Sequence, residues 1–401
     1  MMYIKRIGTI PKYFGGFIVL AMLPQILGFN GSAIDSVYKL LLVGLLFFKT
    51  TNLRNAEKIS VFSCVFLFIG FVNTSGAIVV NNISIFRELY TYIVGVLLAI
   101  IFVDSVLNEK TLKFSDTLPF YKIIVYFMLI AAIYNLIINF NSLLHITSIS
   151  IYGAEGNCSF FDNKNTFGVF LIFAVLASTI LRILTKEKKW IFFNAVFLIN
   201  EMMALCRTAI VLSLVMLVIS FFADNKNKFK NILTLFVIVI AIIVFVNMNE
   251  SISNYILNIF GNTNSMDARD EYIGALLPFA KGIHLWFGYG NEGASEMALA
   301  YTGNAYYHNA YLKALMMGGI LKLGLQIYAI FFSVKYGLKC RKLQKTIGNL
   351  CLLSTIVYII YVCVESVILF DTPVVAIMAV IFIISMPILF YNSLINERTT
   401  R

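Results

Sequence analysis

Charged residues are scarce in this sequence of 401 residues: Asp, Glu, Lys and Arg make up 13% of it, against roughly 25% in ordinary soluble domains. The 31 basic and 20 acidic residues cluster between long apolar runs and do not spread along the chain. That excludes a soluble enzyme, a secreted disulfide scaffold, a disordered chain and a nucleic-acid binder. The cysteines, Cys64, Cys158, Cys206, Cys340, Cys351 and Cys363, show no C-x-x-C spacing, which argues against both a disulfide framework and a zinc site. No G-x-x-x-x-G-K-[ST] loop occurs, which removes an ATP-driven pump unless a partner supplies the motor. No Asp-x-Asp occurs, which disfavours a sugar-nucleotide transferase that holds its diphosphate through a carboxylate-bound metal. The first apolar run lacks a small-x-small cleavage site and reads as a retained helix. No repeat of fixed period and no low-complexity segment is visible.

What the sequence has in abundance is apolar surface: 60% hydrophobic and 15% aromatic residues, with a mean hydropathy of +0.87. Continuous apolar runs of about 16–24 residues mark membrane spans. They fall near 14–29, 37–48, 59–80, 89–107, 121–140, 166–184, 190–206, 207–223, 231–247, 311–334, 347–370 and 373–394. None alternates every second residue, and a helix satisfies its own backbone hydrogen bonds in lipid, so the spans are read as helical. The expected fold is an all-α polytopic membrane protein of about 12 transmembrane helices. It divides into an N-terminal transmembrane region (1–247), an extracytoplasmic loop with short surface helices (248–310) and a C-terminal transmembrane region (311–401).

Basic residues orient the chain. With a cytoplasmic N-terminus, the inside loops collect 23 of the 31 Lys and Arg residues, including Lys186, Lys188 and Lys189, and Lys339, Arg341, Lys342 and Lys345. The positive-inside rule then predicts cytoplasmic termini and an external 248–310 loop. The basic balance follows from topology, so no nucleic-acid partner is expected.

The long loop is apolar enough to form short surface helices, through Tyr255, Ile256, Leu257, Ile259 and Phe260, then Tyr272 to Phe287. Its Trp286-Phe287-Gly288-Tyr289-Gly290-Asn291-Glu292-Gly293 spells G-x-G-x-x-G, but a dinucleotide site needs a preceding strand, and none is expected here. These glycines read as tight turns.

Several polar residues could act at the outer face. Arg207, in Leu205-Cys206-Arg207-Thr208-Ala209, stands at the joint of two spans and either snorkels to headgroups or lines a pocket. Arg269, in Asp267-Ala268-Arg269-Asp270-Glu271, is either a solvated charge or a ligand contact. His308, in Tyr306-Tyr307-His308-Asn309-Ala310-Tyr311-Leu312, is one of three histidines. It sits at a water–membrane boundary, where an imidazole can serve as a base or simply rest at the interface. His145 and His284 read as surface residues. Asn165, in Phe161-Asp162-Asn163-Lys164-Asn165-Thr166, falls in a helix N-cap region. Lys322, about eleven residues into its span, needs a partner, and Glu365 is the nearest by depth.

Phe161-Asp162-Asn163-Lys164-Asn165 leading into a span, Cys206-Arg207-Thr208-Ala209 opening another, Arg269 in a long outer loop, Trp286 with Gly288 and Gly290, and His308-Asn309-Ala310-Tyr311-Leu312 followed by Gly318-Gly319-Ile320 together resemble the O-antigen polymerase and O-antigen ligase superfamily. The resemblance covers roughly residues 160–330, and its most specific element is the H-N-x-Y-L start of a span. Two departures stand out: Cys206 where the family often has Ser, and Lys322 near a position that is commonly Gly.

The resemblance implies a metal-independent glycosyltransferase with a GT-C-like fold and no cofactor, in the bacterial cytoplasmic membrane. Its substrate would be undecaprenyl-diphosphate-linked oligosaccharide, its surroundings the lipid bilayer, and a chain-length regulator a further partner. Arg207 and Arg269 would hold the diphosphate, His308 would activate the acceptor hydroxyl, and Asn165, Asn309 and Tyr311 would be further substrate contacts. The implied activity is polymerisation of repeat units into O-antigen or capsular polysaccharide. The alternatives are a ligase of the same superfamily and a flippase for lipid-linked oligosaccharide.

Overall fold

A computed structural model describes residues 10–29, 33–50, 59–81, 83–109, 111–150, 153–222, 248–260, 272–303 and 305–399. All regular structure among them is helical. The main helices are α1 (Ile10–Ala21), α2 (Ala33–Thr50), α3 (Val61–Asn81), α4 (Ile85–Leu107), α5 (Phe114–Ile138), α6 (Lys164–Thr185), α7 (Lys189–Met203), α8 (Arg207–Phe222), α9 (Glu250–Phe260), α10 (Gly290–Thr302), α11 (Ala310–Leu343), α12 (Lys345–Val362) and α13 (Val374–Thr399).

Helices lie over eleven of the twelve expected spans, and the ninth, 231–247, is outside the described residues. Seven of them, α3, α4, α5, α6, α11, α12 and α13, are long and apolar enough to cross a membrane. The expected count of twelve is not carried by the others. At about 1.5 Å per residue, α7 with its 15 residues falls short of a hydrocarbon core about 30 Å thick, and α2 carries Asp35, Lys39 and Lys49. Ile10–Ile26 and Arg207–Ser220 are shorter apolar helices. The eleventh expected span also ends early: α12 stops at Val362, and 363–373 is a turn-rich loop.

Packing divides the chain into two units. One comprises Met1–Pro24, Phe29–Phe120 and Met266–Arg401, the other Gln25–Gly28 and Tyr121–Ser265. The first therefore assembles helices from both ends of the sequence. Its core joins α4 and α13, and each has a π-helical turn, at Ile100–Asp104 and Ile381–Ser385. Ser385 Oγ donates to the Phe102 carbonyl at 2.7 Å, so a side chain bonds one of the carbonyls in this irregular turn. Phe62, Phe66 and Phe370 form an aromatic cluster, with the Phe66 and Phe370 ring centres 4.5 Å apart.

The second unit is built round α6, which is buried at every position from Phe167 to Arg182. A helix apolar on all sides belongs at a centre, and α7 and α8 pack on it. Polar side chains inside this unit bond to one another: Asn194 donates to Thr179 at 3.3 Å, Asn135 to Asn200 at 2.9 Å, and Ser213 to Glu201 at 2.7 Å. Such pairing is what burial of polar groups requires. Gly168 lets α8 approach closely, since a Cβ there would meet Cys206 Sγ at 2.3 Å.

Candidate functional site

In the second unit, Arg207 is the first residue of α8. The turn that delivers it is held by Ala204 N to the Asn200 carbonyl at 2.9 Å and Cys206 N to the Glu201 carbonyl at 3.2 Å, with Leu205 in the left-handed region at φ 49°. Tyr255 of α9 reaches across and donates to the Met202 carbonyl at 2.8 Å, in an apolar cluster with Ile149, Leu205 and Ile210. Lys164, the first residue of α6, lies within electrostatic reach of Arg207 and Glu155. Two cations thus stand at two helix N-termini, with the Glu155 carboxylate acting on the same lysine. Lys164 is a residue that sequence reasoning quoted but gave no role.

The cap of α6 is Asn163, not Asn165. The Asn163 side chain accepts from Thr166 N at 2.8 Å, while Asn165 is already inside the helix and exposed. The reason is register: an N-cap oxygen reaches the amide three residues on, and only Asn163 precedes the first helical residue. Arg269 lies outside the described residues.

His308 is in the first unit, half-buried, at the foot of α11. Its φ of 48° is uncommon for a residue with a side chain, a local strain held by its neighbours. Its ring meets Tyr272 edge-on at 6.0 Å. Tyr307 is buried and donates to the Ala294 carbonyl; burial pushes its phenol above the ordinary range, so it remains a donor. Asn309 caps α11, accepting from Leu312 N at 2.9 Å, and donates to the Cys363 carbonyl at 3.1 Å. Both ends of its amide are thus engaged within the protein. Tyr311 is half-buried in the first turn of α11.

Beyond His308, α11 breaks. Gly318 (φ −140°, ψ 20°) and Gly319 (φ 60°, ψ −159°) leave the helical region. The freed backbone groups find new partners: Tyr289 N donates to the Met316 carbonyl at 2.8 Å, and Asn73 Nδ2 of α3 donates to the Gly318 carbonyl at 2.6 Å. The Trp286–Gly290 segment packs onto this break so closely that a Cβ on Gly288 would lie 2.5 Å from Gly318 N, and one on Gly319 would lie 2.3 Å from the Trp286 carbonyl carbon. Within the G-x-G-x-x-G pattern, Gly288 therefore makes a backbone-to-backbone contact, whereas Gly290, also at positive φ, faces the Ile83 and Glu88 side chains. His284 is no bare surface residue, because its ring stacks on Tyr289 at 4.1 Å and its Nδ1 lies 3.2 Å from the Gly288 carbonyl.

Behind the break lies a cavity lined by Lys322, Asp371, Glu88, Asn73 and Gln326 with Phe66, Tyr92 and Phe370. The charges that reach Lys322 are Asp371, Glu88 and Lys313. This corrects the expectation of Glu365, which does not line the cavity. Asp371 sits in the loop that the sequence placed inside a span. Glu88 accepts from Asn291 N at 2.6 Å and from Asn291 Nδ2 at 2.7 Å, an acidic cap on the first turn of α10. Sequence reasoning missed Asn73, Glu88 and Asp371. The signal was available, since each is a polar residue in or beside an apolar run, where a cost must be met by a partner.

No group of three or more His, Cys, Asp or Glu side chains placed to hold a metal ion occurs among the described residues. No curated protein and no solved structure matches the chain. A family model does match: residues 192–328, from within α7 to the half of α11 beyond its break, fit the model described as O-antigen ligase. That segment contains Arg207, Arg269, His308 and the Gly318-Gly319 break. The described residues are all helical in their regular structure and include seven helices long and apolar enough to cross a membrane, which supports a polytopic membrane protein, and residues 192–328 are similar to the O-antigen ligase family.

Proposed function

We propose that the protein polymerises undecaprenyl-diphosphate-linked oligosaccharide repeat units at the outer face of the bacterial cytoplasmic membrane, by inverting glycosyl transfer on a GT-C-like scaffold of about twelve spans with cytoplasmic termini. The observation that carries this reading is the family match over the one segment that holds Arg207, Arg269 and His308. The acceptor hydroxyl oxygen attacks the anomeric carbon of the donor chain, the bond from that carbon to the diphosphate oxygen breaks, undecaprenyl diphosphate leaves, and His308 takes the hydroxyl proton. The departing diphosphate is a stable anion that gains one negative charge as the bond breaks, so it needs charge stabilisation more than protonation, and forked guanidinium donors supply it. Arg207 and Arg269 are assigned that role, and Lys164, within electrostatic reach of Arg207, would add to the positive charge there. Energy comes from the activated donor. A chain-length regulator would act on this step from outside the chain.

The test is His308→Ala. It should fold and bind the lipid-linked donor yet stop elongation, leaving surface polysaccharide with a single repeat unit. A ligase would instead accumulate full-length chains on the carrier, unattached. Normal long chains in the variant would remove His308 from the chemistry.

One observation favours a second reading. A broken helix beside buried ionisable groups is the construction that transporters use for substrate and coupling-ion sites, and α11 has both the Gly318-Gly319 break and Lys322. A flippase defect would trap single lipid-linked units on the cytoplasmic leaflet, which extraction of lipid-linked material distinguishes from the elongation defect.

A further inference from the structure

The cavity behind the break has a composition that selects its ligand. Its walls combine apolar ring faces with a few placed polar groups, the make-up of a small-molecule site. Its ionisable lining is Lys322 with Glu88 and Asp371, and Lys313 lies within electrostatic reach of Lys322. An anion would meet two carboxylates that are each over nine-tenths buried, Glu88 at 6% and Asp371 at 8% exposed, and like charges at low dielectric repel strongly. Lys322 in the same lining stands against a cation, which leaves an uncharged ligand.

Hydrogen-bond bookkeeping narrows the class further. Both Glu88 oxygens are used by Asn291. Gln326 donates to Tyr358 Oη and accepts from Leu369 N. Asp371 Oδ1 accepts from Thr372 N at 2.8 Å, while Oδ2 is 3.9 Å from Lys313 Nζ and keeps lone pairs. Among the described residues, no carboxylate lies within 4.0 Å of Lys322 Nζ and no hydrogen bond from it is formed within the protein, although it faces a cavity where unspent donors are costly. One strong donor and one strong acceptor stand ready, and a hydroxyl satisfies both, since it donates and accepts at once. Phe66, Tyr92 and Phe370 supply apolar ring faces in the same wall.

We infer that this cavity is a subsite for an uncharged, hydroxyl-rich sugar ring of the lipid-linked saccharide, with Lys322 donating to a ring hydroxyl and Asp371 accepting from one. The inference rests on the proposed function and adds to it a place where the saccharide, not its diphosphate, is read. Both residues position substrate. A sugar hydroxyl needs a donor, whereas an anion or a coupled proton needs the ammonium charge.

Full-length protein in lipid nanodiscs can be tested with two probes, lipid-linked oligosaccharide extracted from cells that make the protein and bare undecaprenyl diphosphate. Lys322→Met should weaken binding of the saccharide-bearing lipid by about tenfold, the scale of one charge-assisted hydrogen bond, and leave the bare carrier unchanged. Lys322→Gln keeps a donor without charge and should stay within about threefold of the wild type. Equal losses in Met and Gln variants, or a loss on the bare carrier, would overturn the sugar subsite in favour of a charge site. Unfolding temperature in the same nanodiscs identifies a variant that fails to fold, and Asp371→Asn, with about the same selective loss expected, then carries the test. If the wild type shows no preference for the saccharide-bearing lipid, the proposed function itself fails; if the preference survives in Lys322→Met and Asp371→Asn, only the subsite does.

Discussion

Two helices of similar apolar appearance serve opposite purposes here. Helix α6 is continuous over 22 residues and buried from Phe167 to Arg182. Helix α11 runs 34 residues, carries Lys313 and Lys322, and breaks at Gly318-Gly319. The first is close-packed on all sides, and hydroxyls such as Ser178, donating to the Val175 carbonyl at 3.2 Å, and Thr185, donating to the Leu181 carbonyl at 2.8 Å, bond back within the helix. The second gives up backbone bonds at its break, recovers them from Asn73 and Tyr289, and opens a polar cavity. The difference teaches that a continuous helix organises a unit, whereas a broken one creates a place for a ligand, because irregular backbone inside a membrane protein is tolerated only where other groups satisfy it.

The sharpest way to test the two units against each other is charge chemistry at the start of α8. Arg207→Lys keeps the charge but loses the fork, and should cut elongation by about 10²–10³-fold, equivalent to roughly 2–4 kcal/mol at the transition state. Elongation of extracted lipid-linked units by purified protein measures it. Wild-type rates at equal expression would return Arg207 to the role of a helix anchor.

Glycine substitutions probe the packing contrast directly. At Gly319, a side chain meets both a φ of 60° and the Trp286 backbone, so Gly319→Ala should cost about 3 kcal/mol or more. No side-chain truncation nearby should rescue it. At Gly168, the obstacle is the Cys206 side chain. Gly168→Ala should cost about 1–3 kcal/mol from overpacking, and adding Cys206→Ala should recover part of that as a measurable coupling. Thermal unfolding of the purified variants decides it; equal behaviour at the two glycines would erase the contrast between a backbone contact and a side-chain contact.

The smallest effects concern the helix starts. Asn163→Ala should lose about 1 kcal/mol of stability through the lost cap, while Asn165→Ala, exposed and inside the helix, should change it by less than about 0.5 kcal/mol. A reversal of that order in unfolding experiments would move the cap back to Asn165. Asn309→Ala should exceed Asn163→Ala, because it loses both a cap and the bond to the Cys363 carbonyl.

Much of the helical framework was legible from apolar runs alone, since a run without period-two alternation has one way to satisfy its backbone in lipid. Where that reading went astray, the cause was polar content at run ends. Residues 363–370 look apolar enough to extend a span, yet α12 ends at Val362, and Asp371 in the following loop lines the cavity. The Lys322 partner was misassigned because depth along a span says nothing about azimuth, and only packing brought α3, α4 and the 363–373 loop round the same lysine.

By itself, the sequence marked helical segments apolar enough to cross a membrane and a likeness of residues 192–328 to the O-antigen ligase family, and it offered Arg207, Arg269 and His308 as candidate site residues. Those features are local: composition, periodicity and short motifs need no knowledge of distant contacts. Tertiary structure alone decided that Gly318-Gly319 interrupts a helix, that Gly288 packs against that interruption, and that Lys322 shares a cavity with Asp371 and Glu88. Each of those depends on which elements come together, and residues far apart in sequence, such as Asn73 and Gly318, carry no mark of their partner until the chain is packed.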